Sequence, residues 1–135
     1  MDKKQVDIYS LSPMQEAMLF HSLYDQGNSY FKQLLIQVEG DFDPGLFEKS
    51  LNVLIERYDI FRTVFLYKKL KKPRQVVLQE RKAKIQYQDF SHLPEDERNQ
   101  KVEAWIRKDQ TKPFDLSKDL LLRVSVLKTG AQQYQ

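Results

Sequence analysis

Glu56-Arg-Tyr-Asp-Ile-Phe-Arg-Thr-Val-Phe65 is the stretch on which the reading of this chain turns, because a helical period ends in it, an extended period begins, and one arginine stands inside the apolar run. Upstream, Phe47, Leu51, Leu54, Ile55 and Tyr58 fall on one face of an amphipathic helix. Downstream the period becomes two, with Phe61, Thr63 and Phe65 on one face and Arg62, Val64 and Leu66 on the other. Both faces are largely apolar, so the strand reads as central in a covered sheet. Arg62 then sits where a charge is costly. Either it has a carboxylate partner, the loss of which from a buried pair costs roughly 3–5 kcal/mol, or it lies near the strand start and snorkels to water.

Working outward, Ser12-Pro-Met-Gln15 is a helix start, with Ser12 as N-cap, Pro13 in the first helical position and Gln15 placed for a capping box. Met14, Ala17, Met18, His21 and Tyr24 share its inner face, Leu19, Phe20 and Leu23 widen it, and Gly27-Asn28 stops it. Residues 31–40 alternate as a strand, and Asp43-Pro44 opens a second helix running to about Tyr58. Beyond the strand at 61–67, residues 67–74 carry five positive charges around Pro73 and read as a solvated hairpin turn. Strands at 75–79 and 84–89 complete an antiparallel meander. Pro94-Glu-Asp-Glu97 begins a third helix whose inner face continues through Val102, Trp105, Ile106 and Asp109. Lys112-Pro113 ends it, a strand follows over 120–128, and the tail 129–135 is a turn entering another strand. The order is α+β: one mixed sheet with helices packed on it.

With 135 residues, 41% hydrophobic and 30% charged, the composition suits one globular domain or one lobe of a larger one. The absence of cysteine removes disulfides, thiolate zinc sites and cysteine nucleophiles, and fits a reducing cytoplasm. No apolar run is long enough for a membrane span, and the start Met-Asp-Lys-Lys-Gln-Val-Asp lacks a signal segment, so a soluble chain without a membrane partner is expected. Twenty-two basic against 19 acidic residues give +3, too balanced to argue for nucleic acid. His21 and His92 are the only histidines. His21 reads as a core histidine and His92 as a residue helping to cap the third helix. Two histidines fall short of a zinc set, and no HExxH, GxSxG or P-loop pattern occurs, so no metal site is expected. Residue patterns alone yield a domain with an unexplained arginine and no reaction.

Tyr9-Ser-Leu-Ser-Pro-Met-Gln-Glu-Ala-Met-Leu-Phe-His21 closely resembles the first core motif of the condensation domains of nonribosomal peptide synthetases, and residues 56–65 resemble their second. Gly27-Asn-Ser-Tyr-Phe31, and Pro113-Phe-Asp-Leu116 followed by Leu121-Leu-Arg123, resemble further family features, with Leu120 where a proline is common. The resemblance implies a fold similar to chloramphenicol acetyltransferase, with two lobes around a tunnel. It implies amide-bond formation, in which the amine of one carrier-bound aminoacyl thioester attacks the thioester on another. Implied partners are donor and acceptor peptidyl carrier domains with phosphopantetheine arms, and the remainder of the condensation domain; no cofactor is expected on this chain itself. Residues 1–135 would form the N-terminal part of the N-terminal lobe, ending before the family's HHxxxDG motif, with no catalytic residue of their own and no activity alone. Arg62 matches an arginine that pairs with the aspartate of that motif and supports the catalytic loop. Without that aspartate Arg62 is expected to turn to water, Asp59 or backbone carbonyls, its removal costing within about 1 kcal/mol, and an apolar face is expected on the last strand. Alternatives are a cyclisation or epimerisation relative, or a non-catalytic carrier-binding module using the basic 68–74 block.

Overall fold

The computed structural model describes residues 7–25 and 29–135. In chain order the elements are β1 Asp7–Ser10, α1 Pro13–Tyr24, β2 Val38–Glu39, α2 Pro44–Arg57, a 3-10 turn Asp59–Arg62, β3 Thr63–Leu66, β4 Arg74–Val77, β5 Gln86–Asp89, α3 Glu95–Gln110, β6 Ser125–Gly130 and β7 Gln133–Tyr134. The α+β class stands, but the strands form two sheets rather than one. The chain divides into two units, 1–31, 50–83 and 113–122 in the first and 32–49, 84–112 and 123–135 in the second, the division passing through α2.

The first unit holds a three-stranded antiparallel sheet in the order β1-β4-β3. Val76 has Ile8 opposite it on one side and Val64 on the other. The neighbours Val76 and Val77 are both buried although their side chains point to opposite faces, so the sheet is covered on both sides at β4. The central position expected for the strand after Arg62 therefore belongs to β4. β3 is an edge of this sheet, its outer side taking one bond from Phe65 N–H to the Leu116 carbonyl at 2.8 Å. It also starts at Thr63, because the 3-10 turn consumes Phe61 and Arg62. β1, which shows no alternation in sequence, exists through its pairing with β4; Ile8 and Tyr9 remain exposed. Leu11, Leu19, Leu51, Ile55, Val64, Val76 and Val77 are buried here, and Ile55 is fully enclosed.

The start of α1 is as the sequence indicates. Gln15 N–H donates to Ser12 Oγ at 3.2 Å while Ser12 N–H donates to Gln15 Oε1 at 2.8 Å, satisfying two donors that a helix start leaves orphaned. Its end is Asp25, whose N–H reaches the His21 carbonyl; the expected stop at Gly27-Asn28 lies outside the described residues. The broad inner face is a correction. Leu19 is the only buried residue of α1, and Met14, Phe20 and Tyr24 are 70%, 66% and 83% exposed. On α2 likewise the enclosed stripe narrows to Leu51 and Ile55, Phe47 and Leu54 being partly exposed. Asp43 caps that helix, its Oδ1 accepting Leu46 N–H at 3.0 Å.

The second unit holds a four-stranded sheet, β2-β7-β6-β5. β5 runs parallel to β6 and does not continue a meander from β4. The reason is the intervening helix: β5, α3 and β6 follow the strand–helix–strand order that returns a chain to a parallel partner, and an antiparallel hairpin would have needed a tight turn instead. Central β6 buries Val126 and Leu127 on opposite faces, and begins only at Ser125, residues 120–124 lacking strand structure. The strand expected over 31–40 shrinks to Val38–Glu39, because only those residues find a strand partner among the described residues, in β7. Leu34, Leu35 and Ile36 are exposed. The tail forms the expected turn and strand, and the last strands leave no exposed apolar face, Tyr134 packing its ring 5.3 Å from that of Phe42. α3 places Glu95, Asp96 and Glu97 in its first turn and Arg107 and Lys108 in its last, each end matched to the helix dipole.

Candidate functional site: the Arg62 junction

α2 ends at Arg57, and its last carbonyls have no helical partner beyond the chain reversal that follows. Tyr58 N–H takes the Leu54 carbonyl at 3.0 Å, and the 3-10 turn then swings Arg62 back beneath the helix end. Its Nε–H donates to the Ile55 carbonyl at 3.1 Å, placing a cation on the negative pole of α2. Nη1 donates to the carbonyls of Leu78 at 2.7 Å and Gln79 at 3.2 Å, just past β4. The Arg62 carbonyl meanwhile accepts Leu78 N–H at 2.8 Å, so backbone and side chain grip the same residue. Nη2 pairs with Asp59 Oδ1.

The side chain of Arg62 is 13% exposed and that of Asp59 is 65% exposed. The two options read from the strand pattern are thus modified, while the expected turn of Arg62 to Asp59 and to backbone carbonyls is what the fold shows. The residue is largely enclosed, and most of its bonds go to backbone carbonyls rather than to a carboxylate. A guanidinium has five N–H groups. Four are used here, and the second Nη2 hydrogen has no acceptor among the described residues. The junction therefore keeps one donor of fixed direction beside its single, exposed carboxylate.

Other stretches singled out in the sequence meet in the same unit. Gln15 and Gln75 exchange side-chain amide bonds at 3.1 and 3.0 Å, tying α1 to β4. Phe31 stacks on Phe114 with centroids 5.9 Å apart. Asp115 Oδ1 accepts Ser117 Oγ–H at 2.5 Å and Ser117 N–H at 3.0 Å, and these two bonds hold its carboxyl down at about 2. The histidines behave otherwise than expected. His21 is exposed, with its ring edge-on to Phe20 at 5.7 Å, since α1 is not enclosed. His92 is exposed too and does not cap α3, whose N-cap is Pro94 without a side-chain bond. Among the described residues no group of three or more His, Asp or Glu could hold a metal, and no helix is long and apolar enough to cross a membrane.

A second enclosed arginine escaped the sequence reading. Arg123 Nε–H donates to Asp109 Oδ1 at 2.6 Å and its Nη2 to the Asp109 and Lys112 carbonyls at 3.0 Å, closing the end of α3 as Arg62 closes α2. Gln33 completes the group, donating to Asp109 Oδ2 at 3.0 Å and the Ile106 carbonyl at 3.2 Å. The signal was present: Arg123 is a lone charge in the apolar run 120–127, the same pattern that singled out Arg62.

The profile of the family described as condensation domain matches residues 5–135. A linear gramicidin synthase subunit of Brevibacillus parabrevis is 52% identical over 99% of the chain, which covers 3% of that protein. Surfactin synthase subunit 2 of Bacillus subtilis (strain 168) is 47% identical over 98% of the chain, which covers 4% of it. Among solved structures, the starter condensation domain of rhizomide synthetase RzmA superposes with a TM-score of 0.75 at 20% identity, over 95% of this chain and 32% of that one. A four-domain nonribosomal peptide synthetase bound to AMP and glycine superposes with a TM-score of 0.74 at 15% identity, over 99% of this chain and 10% of that one. The chain thus spans about a third of a solved condensation domain and a few per cent of the synthetases it matches.

Proposed function

Because the chain belongs to the condensation-domain family, we propose that residues 1–135 supply the N-terminal part of the N-terminal lobe of a domain that joins two carrier-bound thioesters through an amide. In that reaction the acceptor amine attacks the donor thioester carbonyl; a C–N bond forms, the C–S bond breaks, and the thiol leaves with the proton the amine gives up. These 135 residues contain no HHxxxDG sequence, so this part contributes scaffold rather than a catalytic group. It binds no cofactor itself. Phosphopantetheine arms arrive on donor and acceptor peptidyl carrier domains, and the compartment is the cytoplasm. Neither a membrane nor a nucleic acid is a partner in this reading.

The observation that carries it is the Arg62 junction inside a motif matched by the family profile. Three backbone carbonyls fix the guanidinium plane, and its remaining Nη2 hydrogen is available to the aspartate of a catalytic loop. Arg62 is then a positioning residue, acting on the reaction through that loop. The test is a chimera in which residues 5–135 replace the matching segment of the linear gramicidin synthase relative. Dipeptide formation between two loaded carriers, read by intact mass, is expected to persist and to fall in Arg62→Ala mainly through kcat. A chimera that folds, binds both carriers and forms no amide would overturn the reading.

A further inference from the structure

We propose that the loop joining β3 to β4 docks the carrier domain, gripping the face that bears its phosphopantetheine arm; this rests on the amide-forming reading above. The loop, residues 67–73, presents Lys68, Lys69, Lys71 and Lys72, all exposed, with Arg74 at the start of β4. Leu70 stands among these lysines at 47% exposure. An apolar side chain flanked along the loop by cations has the make-up of an interface centre with its charged rim. The backbone points the same way. Lys69 has φ +62°, the one positive φ outside glycine among the described residues, and a lysine gains nothing local from that conformation, which glycine or asparagine would adopt more readily. Strain of this kind collects where a loop must hold a functional shape.

Charge at the base of the loop is partly answered, because Lys68 and Lys118 both act on Asp115. At the tip it is not. Lys69, Lys71 and Lys72 form no ion pair with a described residue, so their field is directed outward. A carrier bearing the arm necessarily displays a phosphodiester anion where the arm is attached, whatever its own sequence, and that anion is what a cluster of ammonium groups recognises. The hairpin loop thus fits the modified form of the partner better than the unmodified one.

The experiment titrates the 135-residue chain with an isolated peptidyl carrier domain, in apo form and carrying phosphopantetheine, at low and high salt. Wild type is expected to bind the modified carrier more tightly, with affinity falling as salt screens the contact. The triple change Lys69→Glu, Lys71→Glu, Lys72→Glu should weaken it about tenfold or more and abolish the preference for the modified form. Leu70→Ala should weaken it several-fold with the salt dependence unchanged. All four positions are on the surface, and an unchanged amide spectrum verifies the fold of each variant. Equal binding of modified carrier by wild type and triple variant overturns the docking site while the amide-forming reading stands, since that reading is judged by the dipeptide yield of the chimera. Tighter binding of phosphatidylglycerol vesicles than of modified carrier overturns it as well, as does failure to bind either carrier form.

Discussion

Truncating Arg62 to alanine removes four hydrogen bonds at once, three of them to backbone carbonyls around a largely enclosed guanidinium. Urea denaturation of the 135-residue chain is expected to show a loss of about 2–3 kcal/mol, well above the cost expected when only a missing aspartate was considered. Arg62→Lys should recover little, because one ammonium cannot span three carbonyls set for a planar fork. Asp59→Ala should stay within about 0.5 kcal/mol, as for other exposed ion pairs. Were the carboxylate the main anchor, those two results would be reversed. The sequence disclosed that Arg62 was anomalous. It also pointed to Asp59 and to backbone carbonyls as acceptors, but not to which carbonyls, since every residue has one and only the fold selects three of them. Asp115 allows a pH test. Its carboxyl is held near 2 by the Ser117 hydroxyl and amide, below its unfolded value near 3.9. Its contribution is therefore full above the unfolded value and lost as pH falls through the folded one. Amide shifts of residues 115–119 should titrate with a midpoint near pH 2, and Ser117→Ala should raise that midpoint toward the ordinary carboxylate range.

At the level of elements, what could be read locally came through. Helix starts, the basic hairpin loop and the turn at 129–132 depend on neighbouring residues whose geometry is fixed within a few positions. Ser12→Ala should accordingly lower stability by about 1 kcal/mol by urea denaturation, and an unchanged midpoint would show that the capping bonds contribute nothing. Strands came through poorly, because a strand is completed by a partner elsewhere. Among the described residues the apolar run at 34–36 has no such partner, and β1 has one without an apolar pattern. α1 shows the same limit from the other side: its apolar residues have the spacing of a core helix, yet only Leu19 is enclosed. The chain should bind a hydrophobicity-sensitive dye at α1, and Met14→Ser with Phe20→Ser should reduce that signal while leaving the fold intact.

For the molecule as a whole, the α+β class was legible and the division of strands between two sheets was not, since the meander reading ignored what the third helix imposes on β5 and β6. On the proposed amide-forming reading, the chain alone, given two loaded carriers, should yield no dipeptide above background by intact mass, because holding two substrates in register requires more than a stretch matching about a third of a solved condensation domain. The pairing of β2 with β7 matters for another reason. Val38 meets Tyr134 and Glu39 meets Gln133, so the sheet of the second unit closes across most of the chain. Contacts so distant in sequence form slowly, after the large loop entropy has been overcome. On the ribosome β2 must wait, unpaired, until residues 133 and 134 have been synthesised and have cleared the exit, next to Leu34, Leu35 and Ile36, which stay exposed even after the sheet has closed.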